Sequence, residues 1–183
     1  MKTVQEVTIR DARDGEREAI ANLMLEAYQQ YAYDLPGTRW EEYSQSIRDS
    51  VYGEVPYARI VAELEGIIVG SVQLFLSSQE AYGKPEMGIS SPIIRLLAVS
   101  PAARGRGIAT QLIREAAVRS LRLGASTLYL HTSDMMASAV RLYERLGFER
   151  AYETDTYNSE TLVKGYRLCL SDSSLLPSST PPF

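Results

Sequence analysis

The spacing of apolar positions changes several times along the chain, and each change marks an element. Val7-Thr8-Ile9 reads as a short first strand. Between Glu16 and Tyr31, residues Ile20, Leu23, Met24 and Ala27 recur at helical intervals, so they share one face of an amphipathic helix. Leu35-Pro36-Gly37 stops that helix in a loop, and Trp40 to Val51 predicts a second one. Tyr57 to Leu64 and Ile67 to Leu76 are β-rich runs on either side of Glu65-Gly66, the pattern of a hairpin. Ile93 to Val99 is almost wholly apolar and of strand length. Ile108, Leu112, Ile113, Ala116 and Leu121 then mark a helix that closes near Gly124. Thr127 to His131 predicts another strand. Ala139, Leu142, Tyr143 and Leu146 mark a further helix with Gly147 as its cap, and Phe148 to Tyr152 and Leu162 to Leu170 read as closing strands.

The predicted order is β-α-α-β-β-β-α-β-α-β-β. Hairpins come first and a βαβ unit follows, which calls for an α/β (α+β) fold, a central twisted mixed sheet with helices on both faces. There is no internal repeat and no Gly/Ser linker, so residues 1–170 are expected to form one domain. Beyond them, Ser171-Asp172-Ser173-Ser174 and the stretch from Pro177 to Phe183 are Ser/Pro-rich and are expected to form a frayed tail.

Composition narrows the function more than the fold. The 183 residues carry 19 Lys and Arg against 23 Asp and Glu, a formal charge of −4. An acidic chain lacks the cationic footprint of a general nucleic-acid binder, so none is expected as a partner. Its long-range field favours a cationic partner instead. With one cysteine, Cys169, and one histidine, His131, neither a disulfide framework nor a structural zinc site is expected. The absence of a long apolar run predicts no membrane span, and the N-terminal residues lack the apolar core of a signal peptide. A protein of the reducing cytoplasm is expected.

Chemistry concentrates between Ile93 and Thr110. A buried strand leads through Ser100-Pro101-Ala102-Ala103 into Arg104-Gly105-Arg106-Gly107 and then an amphipathic helix. Gly105 and Gly107 have no Cβ, so a ligand can approach the backbone there. The first-turn N–H groups of Ile108, Ala109 and Thr110 and the helix dipole form an anion site suited to a pyrophosphate, and Arg104 and Arg106 add charge. Neither common nucleotide pattern fits: a P-loop needs a Lys that is absent, and a dinucleotide fingerprint needs a third glycine.

Arg104-Gly105-Arg106-Gly107-Ile108-Ala109 resembles the coenzyme A pyrophosphate loop of the GNAT superfamily of N-acetyltransferases. Downstream, Ala139-Val140-Arg141-Leu142-Tyr143-Glu144-Arg145-Leu146-Gly147-Phe148 resembles a second block of the same family. With the element order, the resemblance spans Val7 to Leu170. It implies acetyl transfer from acetyl-CoA directly to a primary amine of a small molecule or protein. A non-catalytic acyl-CoA-binding sensor or partner-binding module is the alternative.

Residue by residue, the resemblance implies that the strand Ile93 to Val99 splays from Thr127 to His131, leaving a gap for the pantetheine arm. Leu97, Ala98 and Val99 would line that arm through their main chain. The loop from Arg104 through Ile108 and Ala109 to Thr110 would hold the pyrophosphate. Tyr143 matches the tyrosine that protonates the departing thiolate, and a phenol of pKa ~10 suits a thiol of ~8.5. Met136 stands where many relatives have a coenzyme-contacting Asn. Gly147 and Phe148 read as structural.

An amine must lose a proton to attack a thioester, so a base or a water chain is needed. His131 at a strand end and Glu86 shortly before the cofactor strand are the candidates, although Pro85, Gly88 and Pro92 place Glu86 in a loop. Cys169 is expected to pack in the core. Tyr31, Tyr33, Asp34 and Trp40 are candidates for acceptor recognition, with Asp34 attracting a cationic amine, while Tyr28 reads as core. A monomer or a homodimer paired through the late strands is expected.

Overall fold

The computed structural model describes residues 6–29, 39–53, 56–133, 137–158 and 161–176. Its frame is a mixed sheet of strands β1 (Thr8–Asp11), β2 (Ala58–Leu64), β3 (Ile67–Phe75), β4 (Ile93–Val99), β5 (Thr127–Thr132), β6 (Glu149–Arg150), β7 (Thr156–Asn158) and β8 (Thr161–Cys169). The strand order is β1-β2-β3-β4-β5-β8-β6, with β7 also paired to β8. Glu65 and Gly66 turn the β2–β3 hairpin with φ of 51° and 80°, the positive pair that a tight hairpin turn requires. Neighbouring strands run antiparallel except β4 and β5, which the connecting helix brings into parallel register.

Helices cover both faces. On one side, α4 (Ile108–Arg122) packs Ile108, Leu112, Ile113, Ala116 and Ala117 against Ile60, Ala62, Val72, Leu74 and Ile94, and Tyr143 of α5 (Ala137–Arg145) joins the same core. A Cβ on Gly70 would lie 2.9 Å from Ile108 and 3.0 Å from Leu112, so a glycine in β3 is what lets the first turns of α4 settle onto the sheet. On the other side, α1 (Arg17–Tyr28) and α2 (Arg39–Tyr52) bury Ile20, Met24, Ile47 and Val51 against Val61 and Ala98. Among the described residues, no helix is long and apolar enough to cross a membrane.

The structure departs from the sequence reading in four places. A short helix, α3 (Ser78–Tyr82), follows β3 and closes a third apolar cluster with Phe75, Ile89 and Ile93. Its signal was local rather than periodic: Ser77 Oγ accepts from the Glu80 N–H, Glu80 accepts from the Leu76 N–H, and Gly83 caps the end with φ 64°. The strand expected over Phe148 to Tyr152 shrinks to Glu149–Arg150, and β7 is additional. Cys169 is exposed rather than packed, because β8 ends there with its side chain outward. Finally, the segment expected to fray from Ser171 still packs on the domain. Leu175 is buried against the α4 side of the sheet and its carbonyl accepts from Arg114 Nε at 3.0 Å. Residues 177–183 lie outside the described part.

Candidate active site

β4 and β5 share one registered pair, Ile93 with Tyr129, where the Tyr129 N–H donates to the Pro92 carbonyl at 2.9 Å. Past that pair β4 keeps its register with β3 as far as Val99 opposite Gly70, but it is not registered with β5. Its edge is open there, and Leu96, Leu97 and Val99 are half-buried while Ala98 is buried. A bulge between Arg95 and Ala98 bends the strand at this point, with Leu96 at φ 53°. A left-handed leucine costs about 1–2 kcal/mol, and such strain gathers at functional sites. Tyr28 of α1 donates its hydroxyl to the Leu97 carbonyl at 2.7 Å and pins the bulge.

The loop after β4 presents Arg104, Gly105, Arg106 and Gly107 to solvent. Gly105 and Gly107 have φ of 81° and 73°, and a Cβ on either would meet nothing within 4 Å. Gly107 is the N-cap of α4 and contributes no side-chain cap. The helical ladder begins with Gln111 N–H donating to the Gly107 carbonyl at 3.1 Å, so the N–H groups of Ile108, Ala109 and Thr110 precede it. Ile108 is buried, whereas Ala109 and Thr110 are half-buried at the mouth of the loop. The positive end of the helix dipole and the unladdered N–H groups lie beside this exposed loop, where Arg104 Nη2 also reaches the Ala27 carbonyl at 3.5 Å. That donor set fits a pyrophosphate.

The far side of the gap is made of side chains. His131 Nε2 lies 3.2 Å from the Thr154 carbonyl, which can only accept, so Nε2 carries the proton. Its Nδ1 then accepts from the Tyr82 hydroxyl at 2.9 Å. Burial pushes the His131 pKa down to about 4, against the weaker opposing pull of the Thr154 carbonyl and Asp155, so the imidazole is neutral near pH 7. Burial likewise raises the Tyr82 phenol far above its ordinary range, with the nearby Tyr143 hydroxyl adding a small upward push and Arg95 a downward one. Tyr143 is buried on α5 with its ring 5.9 Å from that of Phe148, and its carbonyl accepts from the Phe148 N–H. Phe148 is thus the core aromatic expected, and Gly147 turns the chain with φ 97°.

The acceptor-region candidates fare unequally. Trp40 is half-buried on α2 and its ring contacts that of Tyr43, which in turn meets Tyr28 edge-on at 6.0 Å. Tyr28 is buried, in line with its reading as a core residue. Tyr31, Tyr33, Asp34 and Met136 lie outside the described residues. Glu86 is exposed on the turn Pro85–Met87.

Residues 56–150, which hold the splayed strands, the glycine loop and most of this cluster, match the family model of the acetyltransferase (GNAT) domain. The chain belongs to the GNAT family. A probable N-acetyltransferase, family 8 member 5, from Mus musculus is 34% identical over 104 residues, covering 57% of this chain and 42% of the relative. An uncharacterized N-acetyltransferase of Escherichia coli strain K12, YjgM, is 34% identical over 101 residues, covering 54% of this chain and 55% of its own. The matched stretch thus spans about half the length of these curated relatives. The fold is shared with a GNAT acetyltransferase from Brucella melitensis solved with acetyl-CoA, at 22% identity and a TM-score of 0.59 over 91% of this chain and 89% of that one.

Two residues of this GNAT domain's cleft escaped the sequence reading, Tyr82 and Arg95. Tyr82 sits on the unforeseen α3. Arg95 did leave a trace, as a lone charge inside the apolar run Ile93 to Val99.

Proposed function

We propose that the protein transfers an acetyl group from acetyl-CoA directly to a primary amine. The observation that carries the reading is the exposed loop Arg104–Gly107 at the head of α4, beside the edge of β4 that β5 leaves open. Acetyl-CoA supplies the activated thioester. In this reading the N–H groups of Ile108, Ala109 and Thr110, with Arg104 and Arg106, hold its pyrophosphate. The backbone of Leu97, Ala98 and Val99 lines the pantetheine arm along the open edge of β4. Tyr143 holds a phenolic proton for the leaving sulfur.

Proton removal from the amine is assigned to water entering the cleft. His131 has both ring nitrogens engaged, and an imidazole held near pKa 4 is a weak base at neutral pH. We therefore read it as a positioning residue for Tyr82. Glu86 is exposed to solvent, and no role in catalysis is assigned to it. The reading places one catalytic domain, monomeric or dimeric, in the cytoplasm, acting on a small molecule or a protein.

Thermal unfolding with saturating acetyl-CoA, and with ATP and NAD as controls, tests the cofactor half. A ligand at 100 times its dissociation constant stabilises by about 2.7 kcal/mol, a rise in Tm of roughly 5–10 °C for a domain of this size. A rise with acetyl-CoA alone, followed by acceptor-dependent thiol release, is the expected result. No rise overturns the proposal, and a rise without turnover on any amine favours a binding module.

A further inference from the structure

Arg95 is a cation near the middle of the sheet with no acidic partner among the described residues. It lies on β4 opposite Gln73 and next to the bulge at Leu96. The half-buried side chain places its guanidinium 4.9 Å from the Tyr82 ring centroid and 5.8 Å from that of Phe75. Nη1 donates to the Ala81 carbonyl at 2.6 Å. The group is held in position by two rings and one carbonyl, and it has five N–H donors in all.

Its surroundings add to that positive charge. Arg95 and His131 each stand two residues past the last registered β4–β5 pair, on the face that carries Ile93 and Tyr129. The charge of Arg95 is felt at His131, as is that of Lys84, whose Nζ donates to the Thr156 hydroxyl rather than to a carboxylate. Asp155, the acid that also acts on His131, is engaged by Arg150. This side of the cleft is therefore electropositive in a chain of net charge −4. A partly desolvated guanidinium is costly unless an anion completes it, and a planar fork matches a carboxylate.

We propose that Arg95 receives a carboxylate of the acceptor, so that the substrate is an amine that also bears a carboxylate, as an amino acid does. This rests on the acetyl-transfer reading for its catalytic meaning, but the binding site it describes can be tested without turnover.

The test uses the full chain loaded with coenzyme A. The L-amino acids, their C-terminal amides and phosphoethanolamine are titrated calorimetrically, and thiol release is measured for each with acetyl-CoA. At least one amino acid should bind and react about 10- to 100-fold better than its amide. Arg95→Gln should collapse that ratio through KM and Arg95→Lys should restore part of it, while acetyl-CoA affinity stays within about twofold as evidence of an intact fold. Amides binding as well as acids, or phosphoethanolamine binding better than every acid, overturns the proposal. So does an Arg95→Gln loss confined to kcat and equal for acids and amides, which would make Arg95 a transition-state group. Acid-selective binding without thiol release would sustain this inference and overturn the acetyl-transfer reading.

Discussion

The loop Arg104–Gly107 and the cluster of Arg95, Tyr82 and His131 flank the same gap between β4 and β5, yet they are made of different material. The first is exposed backbone at a helix start, with glycines whose missing Cβ atoms open onto empty space. The second is a set of side chains from three elements, held by hydrogen bonds to one another and to backbone carbonyls. A backbone cradle demands particular residues at fixed spacing, so it leaves a motif. A side-chain cluster needs only that distant positions meet, and it leaves almost none. One half suits a part common to many proteins and the other a part that varies between them.

The contrast breaks most sharply at Gly107. Gly107→Val puts a branched side chain at φ 73°, where nothing of the protein stands within 4 Å. The fold should lose about 1–2 kcal/mol from backbone strain. Acetyl-CoA affinity should fall about a thousandfold, through displacement of two charge-assisted contacts at roughly 2 kcal/mol each. Calorimetry set beside urea unfolding separates the two. An affinity loss no larger than the stability loss would mean that the loop does not touch the ligand.

Next in size is the pair Tyr143→Phe and Glu86→Gln. If Tyr143 supplies the leaving-group proton, kcat falls about 100-fold while the buried ring, packed on Phe148, keeps the core intact. Glu86→Gln should leave kcat within about twofold, because the exposed turn Pro85–Met87 removes it from the cluster. Equal losses in the two would place the chemistry elsewhere. Steady-state rates at saturating acceptor, with Tm recorded for both variants, decide it.

How much of this was readable follows the same division. The stripe Ile20-Leu23-Met24-Ala27, the Glu65-Gly66 turn and the run into Arg104-Gly105-Arg106-Gly107 were legible because each is local and repeats a geometric period or a turn rule. The splay of β4 from β5 followed from the family resemblance, since no local residue encodes it. α3 was missed because five residues carry no helical period, although Ser77 and Glu80 wrote its cap. Tyr82 was missed with it. His131 was noticed as a lone histidine, but its partners Tyr82 and Thr154 are 49 and 23 residues away, and the pairing that saturates both nitrogens exists only in the fold.

That saturation makes the side-chain cluster sensitive to pH in a way the loop is not. The folded-state pKa of His131, about 4, lies below its ordinary value of 6.5. As pH falls, the unfolded chain takes up this proton first, so the contribution is complete above pH 6.5 and is lost progressively toward pH 4. Between pH 7.5 and pH 5 the loss should be about 2 kcal/mol, read as a lower urea midpoint. His131→Gln should begin less stable and lose that much less over the same interval. Acetyl-CoA affinity of the folded protein should change far less than stability over that range, because the loop's contribution is backbone N–H groups at the start of α4 and does not include His131. A variant that keeps the full pH slope would show that His131 is not the group responsible, and the neutral, doubly bonded imidazole would have to be abandoned along with its hold on Tyr82.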